Sequence, residues 1–322
     1  MIEVVRVEGA DEEWDSFVWE SPAGTIFSTL RFLSYHPSTR FERLDLAVKE
    51  SGNLVCVMAG GVGGGGAGGP RYSSPVGASF GGPVLPDFDL ARAVQAVDAL
   101  TGELGRLGFG AVEIAPPPPC YSKTREQCLA YALARAGYRV EAREATMVVD
   151  LAGYEEDCLE PALRRSLKKA ERAGIRVRRA GDPRTFYPVL ASNLAAKGAK
   201  PTHSLEELVR LFELFPDRLV LLEATLDGAV VGGCLVIVCN TTASLAFYIC
   251  DDGEHRPLRV AEAVLAEAAG FLKRSGCRYL DLGTVSIHGE LNWGLVRFKA
   301  KFGGTVEVRE RYVLTFGDRT NC

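Results

Sequence analysis

The chain has 322 residues, 47% of them hydrophobic, and a formal net charge of -4. This is enough apolar material for one large core or two ordinary ones, and two is the expected number. The charge excludes nucleic-acid binding by overall basicity, though not by a local patch, and no run of about 18 apolar residues free of charge is available to cross a bilayer.

The N-terminus, MIEVVRVEGADEEW, has acidic residues where a signal peptide has a basic end and an apolar centre, so the cytoplasm is the expected address. Nine cysteines include no CxxC pair, and Cys56, Cys234, Cys239, Cys250 and Cys277 lie in apolar strand patterns. They read as reduced core residues rather than a disulfide framework or a zinc site. His36, His203, His255 and His288 are too scattered for a metal motif, and no metal is expected.

In chain order, Ile2–Val7 has strand character, and Asp11–Glu20 reads as a helix with Asp11 as N-cap and Trp14, Phe17 and Val18 on one face. A short helix follows over Ser28–His36. RLDLAVKESGNLVCVMAG alternates on both sides of Ser51-Gly52-Asn53, a hairpin signature. The next segment, GGVGGGGAGGPRYSSPVGASFGGPV, is so poor in side chains that a long mobile loop is expected. It lacks the GK[ST] ending of a phosphate loop, which argues against nucleotide binding there. Leu90–Leu107 is helical up to Gly108, Ala111–Ala115 is a strand stopped by four prolines, Lys123–Ala136 is helical, and Tyr138–Leu151 supplies closing strands.

The second half follows the same order. Leu159–Ala173 is a strongly basic helix, Ile175–Arg179 a strand, and Phe186–Lys197 and Leu205–Phe215 two helices, the last with Ser204 and Glu207 as a capping box. LVLLEATLDGAVVGGCLVIVC is two strands about Asp227-Gly228, Ala243–Ile249 another strand, and Arg259–Arg274 a helix ending at Gly276. Then comes YLDLGTVSIHGELNWGLVRFKAKFGG: a buried strand over Tyr279–Leu282, a polar loop, and a helix with Leu291, Leu295, Phe298 and Phe302 on one face, stopped by Gly303-Gly304. LGRLGFGAVEIA parallels LKRSGCRYLDLG, and the helix ending ARAGYRVEAREATMVV parallels the one ending AKFGGTVEVRERYVLTF. Two copies of one unit are the economical explanation. The loops distinguish the copies: PPPPCYSKT is rigid and poor in acid–base groups, whereas TVSIHGELN offers Ser286, His288, Glu290 and Asn292.

The element order, with two helices before the central hairpin, resembles the GNAT N-acyltransferase fold. The tandem arrangement, ALRRSLKKAERAGIRVR and the ending FKAKFGG resemble its Fem-like branch, which includes peptidoglycan bridge-forming aminoacyltransferases. The resemblance implies an α/β (α+β) class with two tandem GNAT-like domains, each a mixed, mostly antiparallel sheet flanked by helices. Residues 1–151 form the first, 152–316 the second, which carries the site, and 317–322 a tail. It also implies transfer of an acyl or aminoacyl group, from acyl-coenzyme A or aminoacyl-tRNA, to an amine of an amino sugar, peptide or cell-envelope precursor. A non-catalytic binding protein on the same fold is the alternative. The expected partners are a small-molecule or nucleotide-linked amine and tRNA, with no DNA and at most peripheral membrane association. No tightly bound cofactor is expected.

Acyl transfer to an amine needs a neutral nitrogen, a polarised carbonyl and a proton for the leaving group, and holding both substrates close supplies much of the rate. In GNAT enzymes an RxxGxA/G loop presents backbone N–H groups to the coenzyme A pyrophosphate at a helix start. Here the matching segment has Arg256 and Ala261, but Arg259 stands where the glycine belongs. On the basic helix Arg164, Lys168 and Arg172 are spaced i, i+4, i+8, with Arg165 and Lys169 beside them, opposite Leu163, Leu167 and Ala170. The family likeness assigns Arg164 or Arg165 to a phosphate. The catalytic candidates are Asp281 as a base, Tyr248 as donor to the leaving group, and His288. Arg164, Arg165, Lys168, His203, Ser286, Asn292 and Lys299 are candidates for substrate binding, and Arg256, Arg259 and Ala261 for the donor.

Overall fold

The computed structural model describes residues 2–66, 69–124, 127–155 and 159–317. The chain forms two compact units: the residues up to Glu144 together with those from Val308 on, and Ala145–Glu307.

In the first unit β1 (Ile2–Val7) is followed by α1 (Glu12–Glu20), whose N-cap Asp11 accepts from Trp14 N at 3.0 Å, and by the single turn α2 (Leu30–Leu33). β2 (Asp45–Glu50) and β3 (Asn53–Met58) form the expected hairpin. Its turn residues Ser51 and Gly52 both have positive φ, as the tight connection demands. Together β1, β2 and β3 make a three-stranded antiparallel sheet.

The glycine-rich segment departs from expectation. It pairs as β4 (Gly61–Gly66) and β5 (Gly69–Ser74), although residues 67–68 lie outside the described set. Side-chain poverty is here a packing requirement. A Cβ on Gly60 would lie 2.4 Å from the Tyr72 hydroxyl, and Tyr72 is fully buried in the core of this unit. α3 (Leu90–Arg106), capped by Asp89, crosses over to β6 (Ala111–Ile114), which runs parallel to β5. α4 (Cys128–Arg135) is shorter than the predicted Lys123–Ala136 helix.

β7 (Arg139–Asp150) carries the chain from the first unit into the second. There α5 (Pro161–Arg172), β8 (Arg176–Ala180), α6 (Tyr187–Ala195) and α7 (Leu205–Leu214) precede a meander of β9 (Leu219–Leu226), β10 (Ala229–Val238) and β11 (Ala243–Asp251). The Ser204/Glu207 capping box is present, and the β9–β10 turn uses Asp227 and Gly228 at positive φ. α8 (Val260–Arg274) crosses to β12 (Tyr279–Thr284), which is parallel to β11 and antiparallel to the Ala145–Asp150 part of β7. The predicted loop after β12 folds into a two-stranded hairpin, β13 (Ser286–Ile287) and β14 (Glu290–Leu291), before α9 (Trp293–Ala300). Leu291 lies outside α9, and both it and Leu295 are exposed, so only Phe298 and Phe302 of the expected apolar face reach the core.

β15 (Thr305–Thr315) then returns the chain to the first unit, where Tyr312–Thr315 pair antiparallel with β6. Each unit is thus a mixed, mostly antiparallel arrangement with one parallel pair joined across a helix, and each has its own apolar core. No helix among the described residues is long and apolar enough to cross a membrane.

Candidate functional site

The two parallel pairs differ in how far they stay together. In the first unit β5 and β6 pair through Ser74 and Ile114, the last residues of both strands. In the second, β11 and β12 pair only from Ala243 and Tyr279 to Leu245 and Asp281. Beyond that point β11 runs six residues further along β10, while β12 bulges and rejoins β7 at Thr284 and Thr146. Two parallel strands that separate leave a slot between them at the carboxyl edge of the sheet, where open α/β folds take ligands.

The β12 side of the slot is braced. Gly283, at φ +84, holds the bulge. Its N–H donates to Asp281 Oδ1 at 2.8 Å, and its carbonyl accepts from Lys299 Nζ at 2.9 Å, with Thr284 O accepting from the same ammonium at 2.8 Å. The Thr146 hydroxyl also donates to Asp281 Oδ1, at 2.6 Å. Asp281 and Lys299 are both buried and so clamp one glycine residue, Asp281 through its N–H and Lys299 through its carbonyl. These hydrogen bonds give Asp281 a part in shaping the strand, the structural counterpart to its candidacy as a base. The sequence holds no sign of Thr146, which lies 135 residues away in chain order.

On the β11 side Tyr248 and His203 are brought into direct contact. The Tyr248 hydroxyl accepts from Thr202 N at 3.0 Å and His203 N at 3.3 Å, and lies 3.0 Å from His203 Nδ1. With two backbone donors on its oxygen, the hydroxyl is left to share one hydrogen bond with His203 Nδ1, in which the tautomer of the imidazole sets the donor. Burial is the main cause that pushes this phenol up from its ordinary value. Tyr248 therefore anchors the turn before α7 rather than standing free as a proton donor. Tyr187, not singled out from sequence, donates to His203 O at 3.1 Å and completes the cluster.

α8 begins where β11 ends, and its start is open. Arg259 caps it in the left-handed conformation, φ 70 and ψ 36, with no side-chain cap. The N–H groups of Val260, Ala261 and Glu262 therefore face outward from the first turn of a 15-residue helix. A left-handed backbone is the one glycine adopts freely, so the chain keeps the glycine's geometry at a position where it has arginine. The flanking charges are engaged. Arg256 pairs with Asp251 at 3.1 Å, Arg259 with Glu262 at 3.5 Å, and Lys301 also reaches Glu262 at 3.3 Å. His255 Nδ1 lies 2.7 Å from Asp252 Oδ2.

The remaining predicted residues fall into two groups. Arg164, Arg165, Lys168, Lys169 and Arg172 are exposed along α5 and form no ion pair among the described residues, while Leu163, Ser166 and Ala170 face inward. The hairpin residues have structural tasks. Ser286 is buried and accepts from Ala145 N at 2.8 Å, Asn292 caps α9 through Gly294 N and Leu295 N, and His288 sits exposed in the β13–β14 turn at φ 52. Among the described residues neither His288 nor Asn292 is hydrogen-bonded to Arg164 or Arg165. Among the described residues no group of His, Cys, Asp and Glu could hold a metal ion.

Residues 161–299 match the family model of an acetyltransferase (GNAT) domain. The second unit has the GNAT fold. Across its whole length the chain is similar in fold to FemX, with a TM-score of 0.75 at 13% identity, covering 97% of each chain. It is also similar to a tandem GNAT protein from the clavulanic acid biosynthesis pathway, with a TM-score of 0.59 at 14% identity, covering 98% of this chain and 99% of that one. A third likeness is to L-PGS from Bacillus licheniformis, with a TM-score of 0.60 at 13% identity, covering 95% and 93%. At these identities the likeness is one of fold, and the fold is the tandem GNAT arrangement. No curated protein matches the chain. The GNAT domain brings with it a reaction class, acyl transfer.

Proposed function

We propose that the second unit is an N-acyltransferase taking its acyl group from a coenzyme A thioester and delivering it to an amine of an amino sugar, a peptide or another cell-envelope precursor. The observation that carries this reading is the separation of β11 from β12, together with a start of α8 that has no side-chain cap and lies near the end of β11, where Val260 and Asp251 both pack against Gly232. A slot of that kind accepts an extended pantetheine arm by backbone contacts, and a helix start with outward N–H groups takes the pyrophosphate. The left-handed Arg259 supports the same use, because the loop keeps the required backbone path.

The reaction is a substitution at the thioester carbonyl. The amine nitrogen forms a bond to carbon, the carbon–sulfur bond breaks, and the amine proton goes to the departing thiolate or to solvent. Positioning supplies most of what is needed. Lys299 and Asp281 contribute by fixing the Gly283 backbone, and Arg256, Arg259 and Ala261 belong to the donor loop. Arg164, Arg165 and Lys168 are assigned to a phosphate of the acceptor. His203 is assigned to the acceptor side of the slot.

A second donor, aminoacyl-tRNA, is favoured by one specific observation: five exposed α5 cations without ion pairs among the described residues. Heat protection distinguishes the readings. Acetyl-coenzyme A present at about a hundred times its Kd is expected to raise the unfolding temperature by a few degrees. Protection by aminoacyl-tRNA alone, lost steeply with salt, moves the assignment to the second donor. Protection by neither, nor by nucleotide-linked amino sugars, leaves a binding protein without catalysis and overturns the proposal.

A further inference from the structure

The α9 end of the second unit exposes apolar side chains that the proposed reaction does not use. Ile287 is 70% exposed, Trp293 61%, Leu291 42% and Leu295 41%, all within nine residues spanning the β13–β14 hairpin and the first turn of α9. A tryptophan and three aliphatic side chains left in water together mark a contact surface. Over residues 284–301 the only acidic residue is Glu290, whereas Arg297 is an exposed cation with no ion pair among the described residues. The basic face of α5 belongs to the same unit: Leu163 of α5 and Phe302, just after α9, are members of one core cluster, and Phe298 packs against it.

We infer that this unit docks on an anionic phospholipid bilayer, with the hairpin and the α9 start entering the headgroup region and the α5 cations held at the anionic surface. Charge complementarity decides between occupants. An apolar partner would account for Ile287 and Trp293 alone, while a bilayer surface of negative charge accounts for them and for five exposed cations on α5 that have no ion pair among the described residues. Tryptophan at a hairpin base beside arginine is the composition of an interfacial anchor.

The test uses the full chain with vesicles of phosphatidylcholine, with and without phosphatidylglycerol. The expected result is co-sedimentation with the phosphatidylglycerol vesicles only, weakening as salt is raised, and a blue shift of tryptophan emission that Trp293→Phe abolishes. Ile287→Asp with Trp293→Asp should weaken binding by about tenfold or more, and Arg165→Glu with Lys168→Glu should do so comparably. These positions are exposed, and an unchanged unfolding temperature confirms that each variant is folded. Trp293→Ala alone, with a smaller loss in the same direction, serves if the double substitution unfolds the chain. Absence of binding to phosphatidylglycerol vesicles at low salt, or binding indifferent to the hairpin substitutions, overturns the inference. So does an emission shift that follows protein concentration without vesicles, which would mean that a second copy covers the patch.

Discussion

Arg259 shows how a departure in sequence can leave the geometry intact. A non-glycine residue in the left-handed region costs about 1–2 kcal/mol, and the 3.5 Å pair with the buried Glu262, open to water on the arginine side, returns at most about 1 kcal/mol. Arg259→Gly is therefore expected to leave stability unchanged or raise it by up to about 1 kcal/mol, read from urea unfolding. It should also preserve affinity for acetyl-coenzyme A by calorimetry, because the donor N–H groups do not move. His255 gives a second residue-scale expectation. The hydrogen bond to Asp252 is the largest cause raising its pKa above the ordinary 6.5, and Glu254 and Asp227 act in the same direction. A raised folded pKa means that the pair stabilises the fold fully below about pH 6.5 and that this contribution is lost as pH rises through the folded value. Stability compared between about pH 6 and about pH 9 should thus fall more in the native chain than in Asp252→Asn, and an NMR titration of His255 should shift downward in that variant.

At the scale of elements, α5 is the clearest case of charge placed for a purpose outside the fold. Its inward residues Leu163, Ser166 and Ala170 do the packing, so truncating an outward arginine removes no buried contact. Arg165→Ala is expected to change stability by less than about 0.5 kcal/mol, while weakening binding of a phosphate-bearing acceptor by about tenfold. Equal loss in both, by urea unfolding and calorimetry, would assign Arg165 to the fold instead. The elements also explain what could be read in advance. Caps and turns are local, and Asp11, Ser204 with Glu207, Ser51-Gly52 and Asp227-Gly228 all stand where the sequence put them. The glycine-rich strands β4 and β5 were not readable, because their pairing uses backbone alone and the room left by Gly60, just before β4, answers to Tyr72 of β5.

For the whole molecule, the last strand serves the first unit. Tyr312 and Leu314 are buried in its core, and Tyr312–Thr315 cover the edge of β6. A chain ending at Glu307 is expected to lose protection of the β6 amides in hydrogen exchange while β9 and β10 keep theirs. Retained protection in β6 would show that the first unit holds without its late strand.

The sequence by itself determined the alternation of elements, the tandem repeat and the concentration of positive charge on α5, since each depends on residues close together in the chain. It could name Asp281, Lys299, Tyr248 and His203, but not their work. Only the tertiary structure set Asp281 on the N–H and Lys299 on the carbonyl of Gly283, locked Tyr248 to His203, and parted β11 from β12 while leaving β5 and β6 paired. The physical reason is that these contacts join residues far apart in the chain, and whether a side chain is a free acid or a satisfied structural bond depends on which donors the fold brings to it.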